Sequence, residues 1–413
     1  MPCLVMKFGG TSVADLDRME RVAQRIGGAV ADGHEVIAIV SARAGKTDEL
    51  ADLVVRTSPF YDAREYDAVT SAGENVTSGL VALMLQKKGI PARSWLGWQV
   101  PVETTDAHSA ARISGIGTSN IRSRFNSGMK AAVVAGFQGV SPENRVTTLG
   151  RGGSDTTAVA FAIAFEAVRC DIYTDVDGIY TADPRIVGGA RRLERISYEE
   201  MLELASLGAK VLQTRSVELA MQHRMPIRVL SSFGNEAGPT SGTIVCDEGE
   251  IMERNVVNGI ACSRDEAKLT IVSVADRPGI AAAVFGSLAE AGVNVDMIVQ
   301  NISEEGRTDI TFSCPTDQAD FAEKALAGVK ESGDVNYRAL VTDRDVAKVS
   351  VVGIGMRSYA GVAGRMFAAL AAEGVNIKVI ATSEIKISVL VDRKYMELAV
   401  RSLHDAFDLE TGT

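Results

Sequence analysis

An internal repeat beyond residue 258 limits the possible folds more strictly than any other feature of this sequence. Four groups of residues recur at a constant offset of 82 positions: Gly279-Ile280, Phe285, Leu288-Ala289 and Gly292-Val293-Asn294 return as Gly361-Val362, Phe367, Leu370-Ala371 and Gly374-Val375-Asn376. Each copy predicts a strand, a glycine turn, a helix and a strand that begins with Val-Asn. Later apolar segments extend each copy to a βαββαβ plan, although the last strand of the second copy is the least clear.

The N-terminal part of the chain predicts a different architecture. Leu4 to Phe8 and Glu35 to Val40 are nearly continuous apolar runs, which is typical of parallel strands covered by helices on both faces. Between them, helical spacing predicts a helix that begins at Ser12 and that Gly27-Gly28 end. From Ser231 to Asn258, Gly, Pro, Ser, Asn and Glu are frequent, which indicates a domain boundary.

The first strand leads directly into a candidate phosphate site. Gly9 and Gly10 allow the backbone to approach an anion closely, the following helix start offers free N–H groups, and Lys7 adds a positive charge. The order differs from that of a P-loop, in which the lysine follows the glycines. Taken alone, two glycines after a strand more often form only a tight turn between the strand and a helix.

Residues 147–157 are the richest candidate segment. Three glycines, Arg151, Asp155 and several hydroxyl side chains precede an apolar helix. An arginine offers two parallel donors to a carboxylate, and Asp155 is suited to orient a lysine or Mg²⁺. Glu74 stands at the start of another predicted helix, where a carboxylate either complements the helix dipole or binds a substrate ammonium.

The segment from Thr174 to Arg185 follows another predicted strand. Its Asp-Val-Asp-Gly sequence lacks the upstream ligands and the closing glutamate of an EF-hand, so a nucleotide loop is the preferred interpretation. Tyr180 would lie on a base or ribose and Arg185 would reach phosphates. Lys210 follows a helix break, where a lysine is usually solvated unless the break lies over a ligand.

Composition narrows the class of partner. A formal net charge of −10 argues against broad binding to nucleic acid or to an anionic membrane, and favours small molecules. The five cysteines show no Cys-x-x-Cys spacing, no signal or membrane anchor is apparent, and a cytoplasmic location is expected. The four histidines form no triad-like pattern, and surface or helix positions are expected for them.

These motifs together resemble the monofunctional bacterial aspartate kinases. The residues that carry the resemblance are Lys7 to Ser12, Ser71 to Glu74, Gly150 to Asp155, Thr174 to Arg185 and Leu207 to Lys210. The resemblance implies a three-layer α/β/α amino-acid-kinase (carbamate-kinase-like) fold with a mainly parallel sheet, followed by two ferredoxin-like ACT domains. The implied domains are a catalytic domain over 1–235, a linker with strand material over 236–263, and ACT domains over 264–343 and 344–413.

The resemblance also implies an activity and its residues. A family member transfers phosphate from ATP, with Mg²⁺, to the side-chain carboxylate of L-aspartate, which begins lysine, threonine and methionine synthesis. The implied catalytic residues are Lys7 and Asp155. The implied substrate residues are Thr47, Glu74, Arg151, Gly152, Gly153 and Ser154. The implied ATP residues are Lys7, Phe8, Gly9, Gly10, Ser12, Ser41, Thr174, Asp175, Tyr180, Asp183, Arg185 and Lys210. No direct protein ligand to a metal is predicted.

The paired ACT domains imply regulation by end-product amino acids such as threonine and lysine, and a homo-oligomer. The implied effector residues are Asp276, Gly279, Ala281, Asn294, Asp296, Gln300, Asn376 and Ile377. Met252 follows the linker and is a possible start of a separately translated regulatory chain, as in some relatives.

Three residues depart from the family pattern: Arg43 stands where methionine is frequent, Lys46 adds a cation to the same loop, and Tyr359 replaces a frequent histidine. Two alternatives stay open at this point. One is a sibling kinase acting on glutamate, acetylglutamate or UMP, and the other is a catalytically silent amino-acid sensor with the same fold.

Overall fold

The structure, a computed structural model, describes residues 1–207, 211–234, 242–251, 256–301 and 306–410. These residues divide into two units. The N-terminal unit comprises residues 1–179, 192–205, 211–234 and 242–251, and the C-terminal unit comprises residues 180–191, 206–207, 256–301 and 306–410. Among the described residues, no helix combines the length and the apolar character needed to cross a bilayer.

The described residues between 3 and 246 form twelve strands and eight α-helices. In chain order they are β1 (Cys3–Phe8), α1 (Leu16–Ala31), β2 (Glu35–Val40), α2 (Lys46–Thr57), α3 (Ala63–Thr70), α4 (Ala72–Lys87), β3 (Ala92–Trp95), β4 (Val102–Thr104), β5 (Ile113–Ile116), α5 (Ser119–Asn126), β6 (Ala131–Ala135), β7 (Gln138–Val140), β8 (Val146–Thr148), α6 (Gly153–Ala164), β9 (Cys170–Thr174), β10 (Arg195–Ser197), α7 (Tyr198–Ser206), α8 (Thr214–His223), β11 (Ile227–Ser231) and β12 (Thr243–Cys246).

Eight of these strands form one sheet in the order β10-β12-β11-β9-β1-β2-β6-β3. Its pairings are parallel except between β11 and β12. Alternate residues of β1, such as Met6, pack with Val22 of α1 and Leu85 of α4 in one core, and α6 covers the opposite face. The predicted three-layer fold with a mainly parallel sheet is confirmed.

The first helix differs from its prediction at both ends. Residues 10–13 form a short 3₁₀ turn, and α1 begins at Leu16, where the side chain of Asp15 accepts a hydrogen bond of 2.8 Å from the Arg18 N–H. The helix then continues through Gly27 and Gly28 to Ala31. A glycine inside a helix costs only about 1 kcal/mol, and the fully buried Ile26 anchors this turn, so the two glycines do not end it.

A second, smaller sheet with the order β5-β4-β7-β8 lies between residues 102 and 148. Its strands are only three or four residues long, too short for a period to be read from the sequence. The strand β8 ends at Thr148, directly before the glycine-rich segment. This sheet therefore supports the segment that the sequence singles out.

In the described part of the C-terminal unit there are six strands and four α-helices: β13 (Gly259–Ala275), α9 (Ile280–Glu290), β14 (Asp296–Gln300), β15 (Arg307–Pro315), α10 (Ala319–Glu331), β16 (Ala339–Val352), α11 (Val362–Ala372), β17 (Ile377–Thr382), β18 (Lys386–Asp392) and α12 (Met396–Ala406). The strands form one continuous sheet in the order β14-β15-β13-β16-β18-β17. The two predicted ferredoxin-like copies are confirmed, and they share this sheet.

The long strands β13 and β16 explain why the second copy lacks a clear last strand. Residues 268–272 of β13 pair with residues 339–343 of β16 and complete the first copy. Residues 259–263 of β13 pair with residues 348–352 and complete the second copy. The last strand of the second copy is therefore residues 259–263, which precede the first copy in the sequence. No segment after β18 supplies it, which is why the repeat pattern left this strand unclear.

Each copy has a core of its own under its helices. Leu269 and Phe312 lie in the first core, and Val349 and Val389 lie in the second. Residues 180–191, which form a loop from the middle of the chain, contribute Ala182 and Val187 to the second core. Within this unit, Thr181 Oγ1 also lies 2.9 Å from the buried His404 Nε2 of α12.

Candidate active site

The strand β1 delivers Lys7 to the carboxyl edge of the parallel sheet. Because side chains alternate along a strand, Met6 and Phe8 face α1 and α4, whereas Lys7 faces the side that α6 covers. There Lys7 Nζ lies 2.6 Å from Asp155 Oδ1 as an ion pair, and each side chain is only about one-tenth exposed. The structure thus brings together two motifs that are far apart in sequence.

The glycines before Asp155 create the sharp turn into α6. Gly152 precedes the helix with φ of +70°, in the left-handed region that favours glycine, and Asp155 lies in the first turn. A Cβ atom at Gly136, just after β6, would lie 2.9 Å from Ser154 Oγ, so the first turn of α6 packs closely on the end of the sheet. The positive end of the helix dipole therefore points to the same edge as Lys7.

The turn after β1 is packed against the loop after β2. The Ala44 N–H donates to Gly10 O at 3.1 Å, and the Ser41 N–H donates to Phe8 O at 3.1 Å. A Cβ atom at Gly10 would lie 2.9 Å from Ala42 O. Any larger residue at position 10 would push the two loops apart, so close packing requires glycine at this position. Ser12 Oγ lies 2.5 Å from Ser232 Oγ.

Glu74 lies in the first turn of α4 and is 3% exposed. Burial raises the pKa of its carboxyl from 4.5 to about 7, although the Ala42 backbone hydrogen bond acts in the opposite direction. Its Oε2 atom is buried and has no hydrogen-bond partner in the described part of the chain. An unpaired buried carboxylate is suited to receive a cationic group.

Thr47 and Arg151 complete the candidate substrate residues. Thr47 is partly buried in the first turn of α2, whose preceding residue Gly45 has φ of +77°. Arg151 is exposed, and no carboxylate among the described residues pairs with its guanidinium. Its guanidinium is therefore available to an external anion.

The other six predicted nucleotide residues, from Thr174 to Lys210, fall into three groups. Thr174 is the last residue of β9, which pairs in parallel with β1, and Asp175 follows it; Thr174 Oγ1 donates to Asp175 Oδ1 at 3.1 Å. Tyr180, Asp183 and Arg185 belong to the C-terminal unit, where a hydrogen bond from Arg185 lowers the pKa of Asp183. Lys210 and its helix break lie outside the described residues.

The expectation for the histidines is wrong at His108. This residue lies in a loop rather than on the surface or on a helix, its side chain is 6% exposed, and its Nδ1 atom lies 2.7 Å from Asp67 Oδ2. Sequence reasoning missed both residues, because the contact joins positions 41 apart and no local motif marks either one.

Six of the eight predicted effector residues lie in the first ACT copy. Gly279 has φ of +93° before α9, and β14 carries Asp296 and Gln300. Asp296 Oδ2 lies 2.8 Å from Lys348 Nζ, which also lies 2.8 Å from Glu266 Oε1. The remaining members, Asp276, Ala281, Asn294 and Asn376, are exposed, and Ile377 is partly buried.

No group of three or more His, Cys, Asp or Glu residues with a metal-binding arrangement occurs in the part of the chain that the structure describes. Asp155 is the carboxylate that remains suitable, because it lies in the first turn of α6 and its buried Oδ1 atom is in contact with the Lys7 ammonium. A Mg²⁺ ion that arrives on a nucleotide needs only one or two protein carboxylates.

Comparison with known proteins agrees with this geometry. The model of the amino acid kinase family matches residues 2–231, and ACT domain models match residues 268–329 and 349–407. An aspartate kinase from Pseudomonas fluorescens is 50% identical over 413 residues, which cover 99% of this chain and 98% of the relative. The chain belongs to the aspartate kinase family.

Further aspartate kinases support this membership. An aspartokinase from Pseudomonas aeruginosa is 48% identical over 410 residues, with 99% of this chain and 98% of the relative covered. The crystal structure of E. coli aspartokinase III in complex with aspartate and ADP matches with a TM-score of 0.79 and 28% identity, and covers 98% of this chain and 99% of that chain. Like these aspartate kinases, the chain is an enzyme of the kinase class.

Proposed function

We propose that this aspartate kinase transfers the γ-phosphoryl group of ATP to the side-chain carboxylate of L-aspartate and forms 4-phospho-L-aspartate. The observation that carries the proposal is the contact between Lys7 and Asp155 at the start of α6, beside the glycine-rich turn that carries Arg151. The complex of E. coli aspartokinase III with aspartate and ADP gives the substrate and nucleotide classes.

The reaction needs charge neutralisation rather than a base. An aspartate side chain has a reference pKa near ~3.9 and is already ionised at neutral pH, so no proton has to be removed from the nucleophile. The difficulty is the approach of two anions and their alignment for in-line attack. A cationic, glycine-lined site meets this requirement without a histidine.

Lys7 is assigned to the transferring phosphoryl group, whose developing charge its ammonium stabilises. Phe8, Gly9, Gly10 and Ser12 are assigned to the phosphate-binding turn after β1. Asp155 orients Lys7 through their ion pair. Asp155 is also the residue that would hold Mg²⁺ with the nucleotide phosphates, and this cation supplies further neutralisation of the phosphate charge.

The substrate groups are assigned to three side chains. Arg151 binds the α-carboxylate, because its guanidinium is exposed and has no described carboxylate partner. Glu74 binds the α-ammonium through its unpaired, buried oxygen. Thr47 assists at the substrate, and the backbone of Gly152, Gly153 and Ser154 borders the same turn.

The ATP side is assigned to seven residues. Ser41, Thr174 and Asp175 lie at the carboxyl ends of strands of the parallel sheet, where open α/β folds bind ligands. Tyr180, Asp183, Arg185 and Lys210 are assigned on the resemblance of their sequence segment alone.

The ACT copies are proposed to bind end-product amino acids such as lysine or threonine. The residues assigned to this role are Asp276, Gly279, Ala281, Asn294, Asp296, Gln300, Asn376 and Ile377. E. coli aspartokinase III also has a crystal structure in complex with lysine and aspartate. This structure is 27% identical to this chain with a TM-score of 0.77, and the match covers 98% of this chain and 99% of that chain.

An oligomer of at least two chains is proposed to form through the ACT copies. The edge strands β14 and β17 expose Ile298 and Ile380 at equivalent positions of the repeat, and an apolar edge strand favours pairing with another chain.

An assay for ATP-dependent acyl phosphate formation tests the function. Hydroxylamine traps the product, aspartate and glutamate are compared as acceptors, and lysine and threonine are added singly and together. We expect aspartate to react and glutamate not to react above the background rate. No product with aspartate would favour the amino-acid sensor, and product with glutamate alone would favour a sibling kinase.

A further inference from the structure

The carboxylate of Asp67 on α3 is completely buried and saturated with hydrogen bonds. Thr148 donates to it from its backbone N–H at 3.0 Å and from Oγ1 at 2.6 Å. The Ser109 N–H donates at 3.0 Å, and His108 Nδ1 lies 2.7 Å from Oδ2. Because these oxygens act as acceptors towards backbone amides, Nδ1 is the hydrogen donor. One side chain thus joins α3, the loop at residues 108–109 and the end of β8.

The bonded residue Thr148 lies three positions before Arg151. Between them, Gly150 has φ of +75°, and a Cβ atom there would lie 3.0 Å from Ser109 O. The Ala111 N–H donates to Thr148 O at 3.0 Å. The loop that Asp67 holds therefore forms the surface against which the turn before Arg151 is packed.

Arg215 on α8 ties the same two segments together from another direction. Its Nη1 donates to Leu149 O at 3.0 Å and its Nη2 donates to Ala111 O at 2.9 Å. Beyond Arg151, the side chain of Gln213 packs directly on Gly152, where a Cβ atom would lie 2.0 Å from Gln213 Cγ. The backbone on both sides of Arg151 is held, while the guanidinium itself is exposed.

We propose that Asp67, with His108, is a positioning residue that aligns Arg151 for the substrate α-carboxylate. This inference rests on the function proposed above. A glycine-rich turn samples many conformations unless other groups restrain it, and a two-pronged guanidinium–carboxylate contact requires a defined backbone position. Restraint before binding lowers the entropic cost of binding, so the network contributes to affinity for aspartate without touching it.

Steady-state kinetics of Asp67→Asn test the proposal. Asparagine has nearly the same volume as aspartate, but its NH₂ group replaces one of the two acceptor oxygens. The donors of Thr148, Ser109 and His108 therefore lose an acceptor. We expect the KM for aspartate to rise by about tenfold or more, which corresponds to about 1.4 kcal/mol, while the KM for ATP stays within about twofold. His108→Ala should raise the aspartate KM in the same way, and His108→Asn, which retains a donor, should restore much of the affinity.

Asp171→Asn is the matched control. Asp171 is also a buried carboxylate of the N-terminal unit, and it pairs with Arg169 and Arg228. We expect this variant to lower the unfolding temperature without separating the two KM values.

Two outcomes would overturn the proposal. One is that Asp67→Asn and His108→Ala change the two KM values equally, or only the unfolding temperature. The other is that His108→Asn is no better than His108→Ala. If Asp67→Asn does not fold, the comparison of His108→Ala with His108→Asn tests the proposal instead. Failure of the wild-type protein to phosphorylate aspartate is a separate result, which contradicts the proposed function instead.

Discussion

Lys7 Nζ lies 2.6 Å from Asp155 Oδ1, although 148 positions of the sequence separate the two residues. The contact joins the end of β1 to the first turn of α6 and places a cation and a carboxylate where the helix dipole is positive. The ion pair is only about one-tenth exposed, so solvent screens it weakly. The proposed chemistry depends on this relationship more than on any other.

Replacement of Lys7 by alanine should abolish most phosphoryl transfer. Removal of one charge-stabilising group from such a site typically costs about 10²–10³ in kcat, and we expect a loss of at least this size. The measurement is the initial rate of acyl phosphate formation at saturating ATP and aspartate. Binding of lysine or threonine, followed by calorimetry, should be unchanged.

Lys88→Ala is the matched control for Lys7→Ala. Lys88 is also paired with a carboxylate, that of Glu20, but it lies at the C-terminal end of α4. Its substitution should leave kcat within about twofold, because Lys88 lies at the opposite end of α4 from Glu74 and its surface ion pair contributes only about 0–1 kcal/mol to stability. A Lys7→Ala enzyme with unchanged turnover would remove Lys7 from the mechanism.

The buried Glu74 should make aspartate use depend on pH. Its pKa is raised to about 7, so the carboxyl is increasingly neutral below that pH and loses its attraction for the substrate ammonium. We expect kcat/KM for aspartate to fall by about tenfold per pH unit below this value, because kcat/KM reports the free enzyme. The profile measured with Glu74→Gln should be lower and flat in this range.

The same pH series run for ATP separates the explanations. If kcat/KM for ATP, measured at saturating aspartate, does not change over this pH range, the result supports a contact between Glu74 and the ammonium group of aspartate. A parallel decline for both substrates, or an unchanged slope in Glu74→Gln, would assign the pH dependence to another group.

Gln300→Ala should weaken inhibition by the effector amino acid. Gln300 ends the exposed edge strand β14. Loss of one hydrogen bond to a charged ligand costs about 1.5–3 kcal/mol, so the concentration for half-inhibition should rise by about tenfold or more. The measurement is an inhibition curve with lysine and with threonine, and Glu290→Ala, exposed at the end of α9, serves as the control. An unaltered curve for both effectors would exclude Gln300 from the effector site.

Lys348→Met should destabilise the C-terminal unit. Lys348 is 7% exposed between Glu266 and Asp296, and its removal leaves the Glu266 carboxylate, 8% exposed, without its cation. Breaking a buried pair in this way costs about 3–5 kcal/mol of unfolding free energy, as measured by urea denaturation. The double variant Lys348→Met with Glu266→Leu should recover most of the loss, whereas an equally unstable double variant would contradict this explanation.

Several parts of the fold and the site were predictable because they depend on local order. The unbroken apolar run before Gly9-Gly10 indicates a strand of a parallel sheet and marks Lys7 as a candidate residue. The glycine-rich segment marks Arg151 and Asp155 as candidates in the same way. The repeat identifies two related modules without any contact information. In contrast, Gly27-Gly28 suggested an end of α1 that burial of Ile26 overrides.

The sequence by itself determined the class of architecture, the family and the chemical types available at the site, because residue type and short-range period carry that information. Only the tertiary structure decided that β13 completes both ACT copies, that residues 180–191 enter the core of the second copy, and that Thr148, three positions before Arg151, is bonded to Asp67. Each of these depends on contacts between residues tens to hundreds of positions apart, and such contacts form only when the whole chain has folded.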